Sequence, residues 1–425
     1  MADIQIGKAP QGIAVLPFYG TAAVFFLVLC ILMLLSAGEL TGHYFSPHVL
    51  AIVHAAALGW GTMVIFGAAY QLLPVICERD LYSVRLAFAS YVLLVIGTAL
   101  LVGSFWTFRA DGMMIAGGAS VVSAALLYTI NAFVTASIGM RYTIQKAFIV
   151  SSALWLCITT TAGLLLAINL SHTFIPRNHL DLLKLHAHAG LAGWFLQLIA
   201  GVSAKLVPMF LLGKSRRTWL LYVALVFQNL GLVLFLADGY FNPIAGKMLV
   251  YAGIVGLGIL AWLAYLADAY RRRVRKKVEL LMKHTMVSFI CLLMGLALLP
   301  VAYYAPDTKW TAIYGTFLFL GWVTGIILGK TFKTLPFIVW NNRYQGLHGK
   351  AKVPLPKQLY DERLTVYQFY LYIGAFSLLV VGMVANEVWV IRAALCLWLL
   401  LAAVYLRNVI RILFHKPLTP DGTIT

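Results

Sequence analysis

Three stretches of this 425-residue chain share one pattern. Residues 54–74 read HAAALGWGTMVIFGAAYQLLP, residues 188–208 read HAGLAGWFLQLIAGVSAKLVP, and residues 316–336 read TFLFLGWVTGIILGKTFKTLP. Each stretch, called a motif copy below, has His or Thr at position 0, Gly-Trp at +5 and +6, Gly at +13 and Pro at +20. The copies begin 134 residues (188 − 54) and then 128 residues (316 − 188) apart, without a gap inside any copy. This spacing indicates that the chain is built from three related units.

The residues shared by the copies predict how the helices pack. The glycines at +5 and +13 are about two helical turns apart and so lie near one stripe of a helix. Small residues on one stripe let a neighbouring helix, or a flat cofactor, approach the backbone closely. A proline near the end of a span kinks or stops the helix where few backbone hydrogen bonds are lost. We therefore expect an architectural role for Gly59, Trp60, Gly67, Pro74, Gly193, Trp194, Gly201, Pro208, Gly321, Trp322, Gly329 and Pro336.

The composition identifies a polytopic membrane protein. Apolar residues make up 62% of the chain and charged residues only 11%, and the mean hydropathy is +0.89. A soluble domain cannot bury so much apolar surface, whereas about 20 apolar residues span a bilayer as a helix. Twelve spans are predicted, at about 13–37, 47–75, 86–106, 112–137, 146–170, 182–212, 218–237, 244–268, 281–304, 311–340, 366–386 and 389–413.

These spans predict an all-α fold and one membrane domain, residues 1–425. The motif copies fall in spans 2, 6 and 10, so the second span of each group of four carries a copy. The resulting pseudo-equivalent four-helix units cover about 1–140, 141–272 and 273–425.

The net charge of +18 reflects membrane topology rather than binding to nucleic acid. Connections after odd-numbered spans, together with the first residues of the spans that follow them, carry only six of the 32 Lys and Arg, namely Arg109, Arg177, Lys184, Lys247, Lys309 and Arg392. The positive-inside rule then places both termini and the even connections in the cytoplasm. The densest basic run, Arg271–Lys277, predicts contact with anionic lipid headgroups, or else a docking surface for a partner.

Histidines are the candidate ligands. His54 and His188 occupy position 0 of two copies, about seven residues or roughly 10 Å into a span. An ionisable side chain at that depth usually faces a cavity or the bundle interior, and neutral imidazole is the commonest metal ligand. We therefore expect His54 and His188 to bind haem or a metal, with His186 as a further candidate. Residues two apart point about 200° apart on a helix, so His186 and His188 can bind one ion only if the helix end is irregular; two different centres on opposite faces are the alternative.

Carboxylates argue against proton pumping. All fourteen Asp and Glu are assigned to termini, connections or span ends, whereas pumps and proton-coupled transporters ordinarily need a buried carboxylate relay. Near the cytoplasmic span ends, Lys205 and Lys333 share offset +17. An anionic group there, such as a haem propionate or a quinone, is one alternative to simple snorkelling.

Twelve spans, cytoplasmic termini and outer-half histidines in spans 2 and 6 resemble the haem–copper oxidase superfamily. In its catalytic subunit, a histidine of the second helix binds a low-spin haem, and histidines of the sixth, seventh and tenth helices bind copper and the haems. The resemblance implies that His54 matches the second-helix ligand and that His186 or His188 matches the sixth-helix ligand. It also implies haem b, with copper as a second metal. Span 7 has no histidine, and span 10 has Thr316 instead, so the usual oxygen-reducing centre cannot be assembled.

The chain also resembles the NnrS family of twelve-span haem- and copper-containing proteins, which carry a His-x-His motif like His186-Ala187-His188. This resemblance implies electron transfer, or binding and turnover of a diatomic such as nitric oxide, in the manner of an oxidoreductase of the bacterial inner membrane. Its partners would be the bilayer and a redox protein or quinone. A copper or haem transporter and a non-catalytic assembly subunit are the alternatives.

Overall fold

The computed structural model describes residues 12–137, 143–243, 246–347 and 353–416. Within these ranges, twelve helices are long and apolar enough to cross a membrane, and no strand occurs. The helices are α1 (Gly12–Leu35), α2 (Pro47–Cys77), α3 (Val84–Trp106), α4 (Gly112–Ser137), α5 (Ile144–Ser171), α6 (His179–Leu211), α7 (Trp219–Phe241), α8 (Met248–Arg271), α9 (Leu280–Tyr304), α10 (Lys309–Leu347), α11 (Glu362–Ala385) and α12 (Val388–Leu413). The predicted all-α membrane protein with twelve spans is confirmed. The predicted unit boundary at 140/141 lies outside the described residues.

Helix α10 is longer than predicted. The sequence predicts its end near residue 340, followed by a loop to about 365, but the helix continues to Leu347. Two contacts support the extra turns: the Trp340 indole donates to the carbonyl of Pro354 at 2.7 Å, and the Asn342 side chain donates to the carbonyl of Ile338 at 2.9 Å. Pro336 therefore does not stop its helix, whereas α2 and α6 end three residues after Pro74 and Pro208.

Each helix that carries a motif copy contains a wide, π-helical turn. These turns are Ala55–Thr62 in α2, Ala189–Leu196 in α6 and Phe317–Val323 in α10. Each begins directly after position 0 and contains the Gly-Trp pair. Hydrogen bonding from residue i to i+5 is rare in helices and is often found at functional sites. The three copies therefore share a backbone conformation as well as a residue pattern.

The chain divides into two compact units. The first contains residues 72–93 and 110–278 and therefore helices α4 to α8. The second contains the described residues up to 71, residues 94–109, and the described residues from 279 onward, which include α1 and α9 to α12. The prediction of one domain with three repeat units remains a prediction.

Close helix pairs form the core of each unit. In the first unit, α7 packs on α8 at two glycines: a Cβ at Gly231 would lie 2.7 Å from the carbonyl oxygen of Tyr251, and one at Gly258 would lie 3.0 Å from that of Ala224. In the second unit, α12 packs against α11 and α1. Trp398 and Tyr405 of α12 are fully buried there. Such close approach maximises dispersion contacts between helices, which is the main source of helix association in lipid.

Candidate functional site

His54 is the last residue before the wide turn of α2. Its ring is half-buried and stacks on Phe105 of α3, with centroids 4.5 Å apart and an interplanar angle of 26°. Its Nδ1 lies 2.8 Å from the backbone carbonyl oxygen of Leu50. A carbonyl oxygen only accepts, so Nδ1 carries the proton, and Nε2 of the neutral ring carries the lone pair. A hydrogen bond of this kind fixes the orientation and tautomer of a histidine ligand.

His188 has the same arrangement in the first unit. It precedes the wide turn of α6, and its Nδ1 donates to the carbonyl oxygen of Lys184, again four residues earlier and at 2.8 Å. The half-buried ring contacts Phe235 of the next helix, α7, with centroids 5.2 Å apart. Two repeat-related histidines thus share the tautomer that leaves the lone pair on Nε2, and each contacts a phenylalanine of the following helix.

His186 contacts a different helix from His188. Its Nδ1 donates to the carbonyl oxygen of Thr159 in α5 at 3.0 Å. Its ring lies against Gly163, where an added Cβ would be only 2.8 Å from Cε1. His186 therefore contacts α5 and His188 contacts α7, as the angle of about 200° between them leads one to expect. His54 belongs to the second unit.

Thr316 occupies position 0 of the third copy and has a different partner. Its hydroxyl donates to Sδ of Met383 in α11, 3.5 Å away. The wide turn that follows is retained in full, although the histidine is not. The backbone feature therefore does not depend on an imidazole.

Side chains of the preceding helix pack on the six motif glycines, and their register is the same in all three copies. A Cβ added at any of the six glycines would lie within 2.5 to 2.8 Å of such a side chain. The contacting residues are seven apart in all three cases: Phe25 and Phe18 on Gly59 and Gly67, Trp155 and Phe148 on Gly193 and Gly201, and Cys291 and His284 on Gly321 and Gly329. This register was not predicted. The seven-residue spacing is present in the sequence, but the contacting side chains differ in chemistry from copy to copy.

The three copy tryptophans are buried but not bonded alike. Trp60 stacks on Phe26 with centroids 4.3 Å apart and donates to Oγ1 of Thr324 at 3.0 Å. Trp194 meets Tyr128 edge-on at 5.4 Å. Trp322 is 1% exposed, and its Nε1 has no hydrogen-bond partner in the described part of the chain. Packing, rather than a shared polar role, is common to all three.

His284 is a buried histidine outside the predicted set. It is fully buried, edge-on to Phe369 at 4.9 Å, with Nε2 3.5 Å from Nε2 of Gln368. Its Nδ1 has no hydrogen-bond partner among the described residues. Gln368 also donates to the carbonyl oxygen of Leu328 at 3.2 Å. His284 occupies the same register position as Phe18 and Phe148 and is a core residue of its unit.

A polar cluster lies just before α2. The imidazole of His48 donates from Nδ1 to Oε1 of Glu39 at 2.7 Å, and the hydroxyl of Ser46 donates to Oε2 at 2.8 Å. These bonds, that from His48 first, lower the pKa of Glu39 below its ordinary value. His48 also packs on Trp106 with centroids 4.3 Å apart. The cluster ties the connection after α1 to the start of α2.

The donor set fits haem better than a protein-bound metal ion. Within the described ranges, no three His, Cys, Asp or Glu side chains gather where they could hold a metal ion. A copper or zinc centre ordinarily needs three or four such ligands. Haem needs only one or two axial side chains, because the porphyrin supplies the other ligands. His54 and His188 can each supply one such axial side chain, whereas the described residues form no site with three ligands.

Comparison with known proteins identifies the fold. No family model matches the chain. The chain is 37% identical over 73 residues to the cbb3-type cytochrome c oxidase subunit CcoN1 of Stutzerimonas stutzeri, a match that covers 17% of this chain and only 15% of that protein. A haem–copper terminal oxidase dimer solved by electron cryo-microscopy matches with a TM-score of 0.70 over 98% of this chain and 86% of the oxidase chain, at 11% identity. The shared property is therefore the fold.

Proposed function

We propose that, in this divergent haem–copper oxidase-like membrane protein, Nε2 of His54 and Nε2 of His188 are each an axial ligand of haem b. One observation carries the proposal. The two histidines occupy the same motif position, before the same wide turn, with the same 2.8 Å bond from Nδ1 to a carbonyl four residues earlier. The shared arrangement fixes both rings in the tautomer whose Nε2 keeps a lone pair, the form of histidine that binds haem iron.

Bound haem would supply a one-electron couple and a coordination position for a diatomic ligand such as nitric oxide. The residues of this chain orient the ligand imidazoles and shield them. Phe105 and Phe235 each cover one ring with apolar surface, which lowers the local dielectric and limits access of water. We infer electron transfer, or binding and turnover of a diatomic, with a redox protein or a quinone as electron donor.

The experiment is reduced-minus-oxidised spectroscopy on the protein purified in mild detergent, with haem and copper measured on the same sample. We expect one or two b-type haems per chain in the wild type. His54→Ala and His188→Ala should each remove one haem or shift its bands, whereas Thr316→Ala should leave the spectrum unchanged. A haem-free wild type, or retention of the whole spectrum in both histidine variants, would refute the proposal.

The alternative is a copper- or haem-handling membrane protein, and His186, which contacts α5 rather than α7, is its candidate ligand. Copper in a haem-free sample, lost in His186→Ala, would favour a metal-handling role over redox chemistry. Co-purification with an oxidase, without either cofactor, would favour an assembly subunit. We also propose that the protein resides in a bacterial inner membrane with both termini in the cytoplasm, which reporter fusions at each terminus would test.

A further inference from the structure

Two connections of the first unit join at the end of the membrane spans. The segment after α6 and the segment after α8 are bonded main chain to main chain: the amide of Val274 donates to the carbonyl of Leu212 at 3.1 Å, and the amide of Arg275 donates to that of Leu211 at 3.4 Å. Gly213 packs against the backbone carbonyl of Ala269 more closely than any side chain allows. Residues 212–219 and 268–278 therefore form one surface, called the basic platform here.

The basic platform has a large excess of positive charge. It carries nine cations and one carboxylate, a net charge of +8 (9 − 1): Lys214, Arg216, Arg217, Arg271, Arg272, Arg273, Arg275, Lys276 and Lys277 against Asp268. Asp268 is fully engaged inside the platform. One oxygen accepts from the Ser215 hydroxyl at 2.8 Å and the Arg216 amide at 3.0 Å, and the other accepts from Nε of Arg272 at 3.0 Å. The acid thus fixes the two segments together, and eight of the nine cationic residues, all except Arg273, are exposed.

Apolar side chains are interleaved with these cations. Val274 is 76% exposed, and Leu212 and Trp219 are each 60% exposed. The platform lies where α6 and α8 end and α7 begins. Spans end at the headgroup layer of a bilayer, which would put the cations level with the lipid phosphates and the apolar side chains at the edge of the acyl region. Trp and basic side chains at such a position favour the membrane interface. A bilayer surface offers both phosphate for the cations and acyl carbon for these apolar side chains.

We infer that the basic platform is a binding site for anionic phospholipid headgroups of the surrounding bilayer. Exposed guanidinium and ammonium groups bind phosphate with charge-assisted hydrogen bonds. Each Lys or Arg near an anionic surface adds to the attraction, and the effect is screened by salt. The site is independent of the histidines and of the proposed haem.

The test is native mass spectrometry of the detergent-purified protein incubated with phosphatidylglycerol or phosphatidylcholine. In the variant Arg275→Gln/Lys276→Gln/Lys277→Gln, the pairing of Asp268 is untouched. We expect the preference for phosphatidylglycerol to fall by about tenfold or more. The matched control is Lys357→Gln/Arg363→Gln/Arg407→Gln, which removes the same charge at exposed positions of the second unit. The control should keep the wild-type preference.

Three results would overturn the inference. The first is equal retention of both lipids by the wild type, and the second is an equal loss of preference in the control, which would indicate only net charge. The third is a preference that the platform variant keeps in full. Haem content and the melting temperature, measured on the same samples, separate a lipid effect from misfolding. A platform variant that folds and keeps its haem yet loses phosphatidylglycerol supports the platform whatever the outcome for the histidines.

Discussion

The indole of Trp60 donates a hydrogen bond to Oγ1 of Thr324, 3.0 Å away and 264 residues later in the chain. The bond joins the first motif copy to the third within one unit, and both partners are buried. Thr324→Val keeps the shape of the side chain but leaves the indole N–H without an acceptor. We expect a loss of about 1 kcal/mol in unfolding free energy. Thr324→Ser, which retains the hydroxyl, should lose less, and equal losses in reversible unfolding assays would contradict the role of this bond.

The +5 glycine of the second copy tests the packing register. At Gly193 a new Cβ would lie 2.6 Å from Cβ of Trp155, a distance that real side chains do not adopt. Gly193→Ala must therefore displace α5 or the indole, and we expect destabilisation by about 1 to 3 kcal/mol. The control is Gly256→Ala in α8, where nothing lies within 4 Å of a new Cβ. There the higher helix propensity of Ala should leave stability equal or raise it. Similar melting temperatures for the two variants would contradict the register.

A cavity variant distinguishes a ligand from a structural histidine. His54→Gly removes the imidazole beside Phe105, and free imidazole added to the buffer should occupy the gap. If His54 is an axial ligand, the haem bands lost in the variant should return with rising imidazole concentration. The control is His186→Gly, because the His186 ring lies against Gly163 and is not a proposed haem ligand. Added imidazole should leave the haem bands of this variant unchanged. Bands that are insensitive to imidazole in His54→Gly would assign the histidine to packing.

His284 offers a test of the three-copy correspondence. Its equivalents on the preceding helices are Phe18 and Phe148, and its Nδ1 lacks a hydrogen-bond partner in the described part of the chain. His284→Phe removes a buried polar atom and leaves Gln368 bonded to the carbonyl of Leu328. We expect stability to be unchanged or higher by about 1 kcal/mol. A clear drop in melting temperature, or loss of a haem band, would show that His284 has a role that phenylalanine cannot replace.

Acid should loosen the connection between α1 and α2. Hydrogen bonds from His48 and Ser46 lower the pKa of Glu39, so the folded state favours the carboxylate. The stability from this group is present above the unfolded carboxyl pKa of about 4.3 and is lost as the pH falls through the lowered folded value. The carboxylate is partly exposed, so the effect is small. Melting temperatures between pH 3 and 6 should fall more steeply in the wild type than in Glu39→Gln, and parallel curves would contradict this.

The fold was predictable because its signals are local. Apolar runs of about 20 residues identify the spans, and the twelve predicted spans match the twelve helices. The extension of α10 to Leu347 was not predictable, because it depends on contacts of Trp340 and Asn342 and not on hydropathy. The residues that follow position 340 are polar, so the sequence predicts a loop where α10 continues.

The geometry of the candidate site was predictable only in part. The repeat predicted His54 and His188 as a pair, and helix geometry predicted that His186 faces elsewhere. Nothing in the composition of a copy indicates the wide turn, in which hydrogen bonding shifts from i+4 to i+5. The contacts of Phe25, Trp155 and Cys291 with the +5 glycines were not predicted either, because these three residues correspond in position but not in chemistry.

The wide turn after position 0 divides each motif helix into two segments that can change independently. The part of the helix from Gly-Trp to the proline is bound to its neighbour by the close glycine contacts, and its glycines, tryptophan and proline are the same in all three copies. The part before the turn ends at His54, His188 and Thr316, and the turn is present in every case. The residue at position 0 can therefore differ by a single substitution without rebuilding the helix bundle.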